Sequence, residues 1–231
     1  MPDTLYPCFS AMEFDVIRSR RKTIAVEITK EGGVLVRAPL KLARREVLAF
    51  VHQNRAWIAR KLGQARVRQE ERTPRRFLEG ENFPFLGEQH RLRYVAGGEY
   101  LRKQNGEFLL GADLSSRAGD LFRTWYRARA REILEDRVAH FALRMGLTCR
   151  SVRITDAKER WGSCNAAGSL NFAWRLIMAP PPVIDYVIVH EMAHLVEMNH
   201  SRRFWERLGR ILPDYAKRRK WLRENEHRLT L

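Results

Sequence analysis

Long apolar runs and paired cysteines are both missing from this chain of 231 residues. No stretch approaches the roughly 18 consecutive apolar residues that a membrane-spanning helix needs, so we expect no membrane partner. Three cysteines without paired spacing argue against a disulfide framework and a cysteine-built zinc ribbon, and they favour a reducing compartment. The first residues also lack the basic start and apolar core of a secretory signal. These absences predict a cytoplasmic protein.

Acidic residues are scarce relative to basic ones. The chain contains 43 Lys and Arg against 27 Asp and Glu, which gives a formal net charge of +16. A strong basic excess attracts nucleic acid, nucleotides and other anionic partners. The basic residues are spread along the whole chain, so the same net charge is also explained by helix faces that are exposed to solvent. Nucleic acid is therefore one partner that the composition allows without requiring it.

The most informative segment reads His-Glu-Met-Ala-His at residues 190–194. In an α-helix, residues four apart lie one above the other, so His190 and His194 can face one metal ion with Glu191 beside them. The preceding residues 183–189 are mostly apolar and predict an interior helix, where polar groups without partners are costly. A metal ion would supply those partners. Ordinary partly buried histidines are the alternative explanation.

A third metal ligand is expected because catalytic zinc sites typically use three protein ligands and keep a fourth position for water. His200 is six residues beyond His194, where a straight helix would point it away from the ion. The helix must therefore end between them, with Asn199 suited to end it and Ser201 suited to cap the next helix. This arrangement predicts one zinc ion per chain, bound by the two motif histidines and His200. The substitutes for His200 are Glu206, which is nearest, and the more remote Glu224, Glu226 and His227.

The expected chemistry is hydrolysis by zinc-bound water that Glu191 activates. Zinc lowers the pKa of its bound water to about 7, and Glu191 would accept a proton as this water attacks a carbonyl or phosphoryl centre. Glu191 would then protonate the leaving group. A second electrophile is usual in acyl transfer. The candidates for it, and for substrate binding, are Arg160, Asn171 and Tyr215, although packing alone also explains each of them.

The first half of the chain is predicted to be β-rich with one helix. Alternating apolar residues predict a β-hairpin over residues 23–36. Helical spacing predicts one helix from about Arg44 to Leu62, with Gly63 at its end. Short apolar runs separated by glycines predict a small antiparallel sheet within residues 83–110.

The second half is predicted to carry the metal site. A long helix is expected from a cap at Asp120 to Met145, with Gly146 as its stop. Strands are expected over residues 151–155 and 170–174. The metal-site helix follows a run of three prolines, which favour the first turn of a helix, and two further helices close the chain.

The predicted fold class is therefore α+β. It comprises an N-terminal β-rich region of residues 1–115 with one helix, and a metal-dependent hydrolase domain of residues 116–231 with a small antiparallel sheet and an active-site helix. The sequence shows no internal repeat and no low-complexity segment.

Further motifs accompany the HExxH segment in a characteristic order: Arg160-Trp161-Gly162-Ser163-Cys164, Leu170-Asn171-Phe172, Asn199-His200-Ser201, Phe204-Trp205 and Pro213-Asp214-Tyr215. In this order they resemble the YgjP-like metallopeptidase family of bacterial metal-dependent hydrolases, which is related in outline to the SprT-like metalloproteases. The resemblance extends from about Arg18 onward and is strongest from Lys158 to Leu222.

The resemblance implies a zincin-like catalytic half in which His190, His194 and His200 bind zinc and Glu191 is the general base. A metallopeptidase acting on a peptide or protein is the first functional hypothesis. Members of the family also carry the label of UTP pyrophosphatase, so a metal-dependent hydrolase of a nucleoside triphosphate is the alternative. The sequence has no P-loop glycine motif, so that activity would depend on arginines and the metal. A nucleic-acid-binding module without catalysis suits the charge but gives Glu191 no role.

Overall fold

The computed structural model describes residues 13–29, 32–71 and 75–231, with the side chains of all of them except residues 67–71. The chain forms two compact units, one extending to Thr73 and the other from Pro74 to Leu231. The division into domains between residues 115 and 116 stays a prediction. The first residues, in which the sequence lacks a secretory signal, lie outside the described ranges.

A three-stranded sheet and two helices make up the described part of the first unit: β1 (Asp15–Ser19), β2 (Ala25–Ile28), β3 (Val34–Pro39), α1 (Arg44–Gln53) and α2 (Arg55–Glu71). The central strand, β3, is antiparallel to β2 and parallel to β1. The pairing of β2 with β3 confirms the predicted hairpin. Val36 and Ile58 are completely buried and place the core of this unit between the sheet and the helices.

The single helix predicted from Arg44 to Leu62 is two helices separated by Asn54. The backbone N–H of Asn54 and its side-chain amide both donate to the Phe50 carbonyl, at 3.1 and 2.8 Å. An asparagine side chain that competes for the carbonyl groups of a helix interrupts it. Gly63 lies inside α2 and does not end it, because it does not adopt the left-handed conformation that closes helices.

The second unit begins with a four-stranded sheet formed by β4 (Asn82–Phe85), β5 (Glu88–Val95), β6 (Arg102–Gln104) and β7 (Glu107–Gly111). Its strand order is β4-β5-β7-β6, and β5 is parallel to β7. The sheet is mixed, in contrast to the predicted antiparallel sheet, because β6 takes the edge and leaves β7 beside β5. The two strands of a hairpin have similar composition, so the sequence does not show which of them will pair with a third strand.

The C-terminal half consists of the following elements: α3 (Ala118–Met145), β8 (Ser151–Thr155), β9 (Gly162–Cys164), β10 (Ser169–Ala173), α4 (Pro181–Ala193), α5 (Arg202–Ile211) and α6 (Tyr215–Asn225). Its sheet has the order β8-β10-β9, with β10 parallel to β8 and antiparallel to β9. This sheet is also mixed, because the chain crosses over between β8 and β10 and both strands run in the same direction.

Helix α3 links the two sheets of the second unit. Its Phe122 ring packs on Phe83 of β4 and Phe108 of β7, with ring centroids 4.2 and 5.0 Å apart. The helix begins at Ala118, directly after a 3-10 turn, so Asp120 lies in its first turn and is not its cap. Gly146 ends the helix as predicted, with φ of 63°.

Helix α4 is almost wholly buried, as its apolar sequence predicts. It starts with proline in its first turn and packs against α3, α5, α6 and β9. Arg137 of α3 donates two hydrogen bonds of 2.8 Å to the carboxylate of Asp185 in α4. A bidentate, partly buried ion pair of this kind fixes orientation as well as contributing energy, so α4 is held in register with α3.

These elements confirm the α+β class, with a β-rich N-terminal part and a C-terminal part dominated by helices. Within the described residues, no helix is both long and apolar enough to cross a membrane.

Candidate active site

Three histidines converge where α4 ends. His190 lies in the last turn of α4, and His194 is the residue that follows Ala193 at its C-terminus. The helix therefore ends before the predicted stop at Asn199, because the backbone tightens into turns immediately after His194. The chain then reverses and brings His200 back to the end of α4.

The ligand atoms of His190, His194 and His200 all lie within 4.8 Å of one another, so the three side chains could hold one metal ion. The Nε2 atoms of His190 and His200 are 3.0 Å apart. Two nitrogens bound to one zinc at 2.0–2.1 Å in tetrahedral geometry would be roughly 3.3 Å apart, so the observed spacing fits a shared ion. Among the described residues, no carboxylate joins this cluster.

The substitutes for His200 lie elsewhere. Glu206 pairs with Arg202 of its own helix, at 2.7 Å between Oε1 and Nε. Glu224 and Glu226 are outside the cluster, and His227 is buried in a 3-10 turn near the C-terminus. The geometry therefore favours His200 over these four side chains.

Hydrogen bonding also prepares His194 as a ligand. Its Nδ1 lies 2.9 Å from the carbonyl oxygen of Glu197. A carbonyl oxygen only accepts, so Nδ1 must carry the proton, and Nε2 is left with a lone pair for a metal. The Nδ1 atom of His190 is buried without a partner among the described residues.

Burial favours the neutral form of two of the three histidines. Burial, with the charges of His194, His200 and Arg219, lowers the pKa of His190 to about 3. Burial also lowers the pKa of His200, again with contributions from His194 and Arg219. Metals bind the neutral form of imidazole, so these side chains are in the state that a cation requires. The donor set and its protonation both fit a metal ion.

Glu191 is enclosed between α4 and strand β9. Its side chain is only 7% exposed. Burial raises the pKa of Glu191 to about 7, although the charge of Arg160 and the backbone N–H of Cys164 both favour the ionised form. A carboxyl with a pKa near neutrality can both accept and release a proton under ordinary conditions.

Gly162 makes room for this carboxylate. Any Cβ at Gly162 would lie 2.6 Å from the Cγ atom of Glu191 and 2.7 Å from its Oε1. Such distances are below van der Waals contact, so the absence of a side chain on β9 is what allows Glu191 its position.

Replacing Gly162 with alanine is therefore expected to displace Glu191 and to lower the rate of any reaction that depends on this carboxylate by about 10²-fold, the usual effect of a misplacement near 1 Å. Metal content should stay unchanged because the histidines are not touched. The measurement is kcat/KM together with metal analysis of the purified variant. Gly63→Ala is the matched control, since no atom lies within 4 Å of the added methyl group. Full activity of Gly162→Ala would contradict the packing argument.

The three substrate-binding candidates from the sequence fall into two groups. Arg160 and Asn171 line one cleft of about 200 Å³, together with Ser163 and other residues of the same sheet. Tyr215 lies elsewhere, with its ring stacked on Trp205 at 5.4 Å between centroids. Trp205 in turn stacks on His200 at 5.6 Å, so Tyr215 supports the metal cluster through an intervening ring.

Arg219 is a neighbour of the site that sequence reasoning missed. Its guanidinium lies 5.0 Å from the centre of the Trp205 ring, and its charge affects the pKa values of His190 and His200. No carboxylate pairs with it in the part of the chain that the structure describes. The only sequence signal is its position four residues after Tyr215, which places both on one face of α6.

Three histidines that could hold a metal ion beside a buried carboxylate are typical of metal-dependent hydrolases. The chain belongs to the YgjP-like, metallopeptidase domain family, which it matches over residues 22–225. This confirms the family inferred from the sequence motifs and makes the chain a metal-dependent hydrolase of a metallopeptidase family.

A solved structure with partial similarity is the metallopeptidase zymogen abylysin of Pyrococcus abyssi. It is 22% identical, and the match covers 39% of this chain and 93% of that one, with a TM-score of 0.36. A score of this size does not establish a shared fold. No curated protein matches the chain.

Proposed function

We propose that this protein is a zinc-dependent peptidase that hydrolyses peptide bonds in extended protein or peptide segments. The observation that carries the proposal is the convergence of His190, His194 and His200 next to the buried carboxylate of Glu191. Membership of a metallopeptidase family supports a peptide as the substrate.

The three histidines would hold the ion through one ring nitrogen each. When bound, a zinc ion lowers the pKa of water to about 7 and polarises the oxygen of the attacked carbonyl. The carbonyl of Glu197 fixes the ring of His194 so that the nitrogen directed at the cluster is the unprotonated one.

Glu191 carries the proton transfers. Its carboxylate accepts a proton from the attacking water as a new C–O bond forms to the peptide carbonyl carbon. It then delivers that proton to the amide nitrogen as the C–N bond breaks, so one carboxyl serves first as base and then as acid. The Cys164 backbone N–H keeps the carboxylate oriented during both transfers.

We assign Arg219 to stabilisation of the negative charge that develops on the carbonyl oxygen. Trp205 positions this guanidinium, which is exposed and has no carboxylate partner in the described structure. A donor aimed at developing charge acts mainly in the transition state. Arg219→Gln is therefore expected to lower kcat by about 10²-fold with little change in KM, whereas Arg131→Gln on the exposed side of α3 should change neither. A raised KM with normal kcat would instead make Arg219 a substrate-binding group.

The decisive experiment offers the purified, zinc-loaded chain two substrates in parallel, reduced and carboxymethylated casein and UTP. Cleavage of casein that stops on chelation and returns with zinc is the expected result. Hydrolysis of UTP with intact casein would replace the proposal with a nucleotide hydrolase. If neither substrate is consumed but the protein binds DNA in a salt-sensitive way, a binding module is the better description.

A further inference from the structure

A cleft opens on one face of the β8-β10-β9 sheet. Residues in register on neighbouring strands share a face, and so do residues two apart on one strand. Asn171 and Ala173 of β10 therefore share a face with Ser163 of β9 and Thr155 of β8, their register partners. All four line the cleft. The opposite face carries the buried core residues of β10 and packs towards α4.

Gly162 lies between this cleft and the catalytic carboxylate, because its register partner Phe172 belongs to the face that packs towards α4. It borders the cleft, and it also makes the close contact with Glu191 described above. The two features therefore meet at one residue of the edge strand β9. An extended peptide that pairs with an edge strand points alternate side chains to opposite faces of the sheet. A side chain near the cleaved bond would then enter the cleft.

The lining of the cleft contains donors and one positive charge but no acidic group. Arg160 is its only charged residue, and no ion pair or hydrogen bond engages its guanidinium in the described parts of the chain. The side-chain amide of Asn171 donates to the hydroxyl oxygen of Ser163 at 3.3 Å. This leaves the Ser163 hydroxyl proton and the second N–H of Asn171 available to an acceptor.

Nearby groups add to the positive potential. Arg153 of β8 is in register with Asn171 and so lies on the same face of the sheet. Glu159 directly precedes Arg160 in the sequence but does not line the cleft. Asp156 is already paired with Arg127 at 2.6 Å and accepts a hydrogen bond from Trp174. It does not neutralise Arg160. The face that surrounds the cleft therefore favours an anion.

We propose that the cleft is a specificity subsite for the carboxylate side chain of an Asp or Glu residue next to the cleaved bond of the substrate. A carboxylate there would accept hydrogen bonds from Arg160, Ser163 and Asn171. The volume of about 200 Å³ suits a single side chain, since sites for whole small molecules are roughly 300–1,000 Å³. This inference rests on the proposed peptidase function and names the class of sequence that the peptidase cleaves.

The test uses the zinc-loaded full chain and internally quenched hexapeptide pools in which one position at a time is Glu, Gln or Lys. At the peptide position whose side chain enters the cleft, the wild type is expected to cleave the Glu pool about tenfold faster than the Gln pool. This is a typical gain for a hydrogen-bonded charge. In Arg160→Gln this ratio should fall to about one. In Arg160→Glu the Lys pool should become the preferred one.

The ratio between pools is the readout, because the charge of Arg160 also acts on Glu191 and its loss changes the rate on every pool. Arg131→Gln is the matched control, since it removes the same charge from a side chain that is 64% exposed on α3. It should keep the wild-type ratio. Equal rates on the Glu and Gln pools, or a preference that survives in Arg160→Gln, would overturn the proposed subsite.

Binding separates this inference from the proposed function. The same pools, labelled with fluorescein and without quencher, are titrated with the Glu191→Gln protein. A preference for the Glu pool that depends on Arg160, combined with no cleavage by the wild type, supports the subsite and contradicts the peptidase. Cleavage by the wild type without a preference for the Glu pool supports the peptidase and contradicts the subsite. If there is neither cleavage nor a preference, both proposals are contradicted.

Discussion

Replacing Glu191 with glutamine is expected to lower peptide hydrolysis by about 10²- to 10⁴-fold, the range that a general acid or base contributes. Glutamine has nearly the same shape and can still accept the hydrogen bond from the Cys164 backbone, but it cannot take a proton from water. The substitution replaces a buried carboxylate, whose charge is costly to remove from water, with a neutral amide. The fold should therefore tolerate the change. The zinc content should remain near one ion per chain.

The measurements are kcat/KM on a casein-derived peptide, metal analysis and circular dichroism of the same preparation. Glu135→Gln is the matched control, because this carboxylate is 46% exposed on α3 and pairs with the exposed side chain of Arg131. It should retain wild-type kinetics. Substantial turnover by Glu191→Gln would show that another group accepts the proton, and the mechanism would have to be revised.

Removing one of the two motif histidines is expected to abolish activity and to reduce the zinc content from about one ion per chain to near zero. In His194→Ala the cluster would keep only two ligands, fewer than the three that catalytic zinc sites use. Chelation should destabilise the wild type, by about 4 kcal/mol if zinc was present at 1,000 times its dissociation constant, and should leave His194→Ala unaffected.

Thermal unfolding with and without chelator, together with metal analysis, tests this expectation. His140→Ala is a suitable control, since His140 is an exposed histidine of α3 in the same unit and lies outside the cluster. It should bind zinc and respond to chelation as the wild type does. Normal zinc content in both His190→Ala and His194→Ala would place the metal elsewhere.

Local patterns in the sequence were sufficient for the features that neighbouring residues determine. The 3.6-residue period correctly placed His190 and Glu191 in one helix, with His194 at its C-terminal end, and the glycine at the end of α3 was correctly identified as its stop. The requirement for a third ligand selected His200, which the structure brings to the other two histidines. Family membership followed from the order of several short motifs.

Features that depend on distant residues could not be predicted in the same way. The direction of β7 relative to β5 depends on which strand of a hairpin occupies the sheet edge. Arg219 of α6 comes near His200 only because both side chains pack on the ring of Trp205 in α5. The role of Gly162 was hidden for a similar reason, since Glu191 is far from it in sequence and meets it only through the packing of α4 on β9.

The turn after α4 has a mechanical consequence for the metal-free protein. An ion bound by His194 and His200 would close a loop of a few residues and so act as a short cross-link between the end of α4 and the start of α5. The enclosed segment exposes Val196 and Met198, at 45% and 60% of their surfaces. Loss of the ion would remove this cross-link, so the segment should open more often and be cut faster by an added protease in the metal-free protein than in the metal-bound protein.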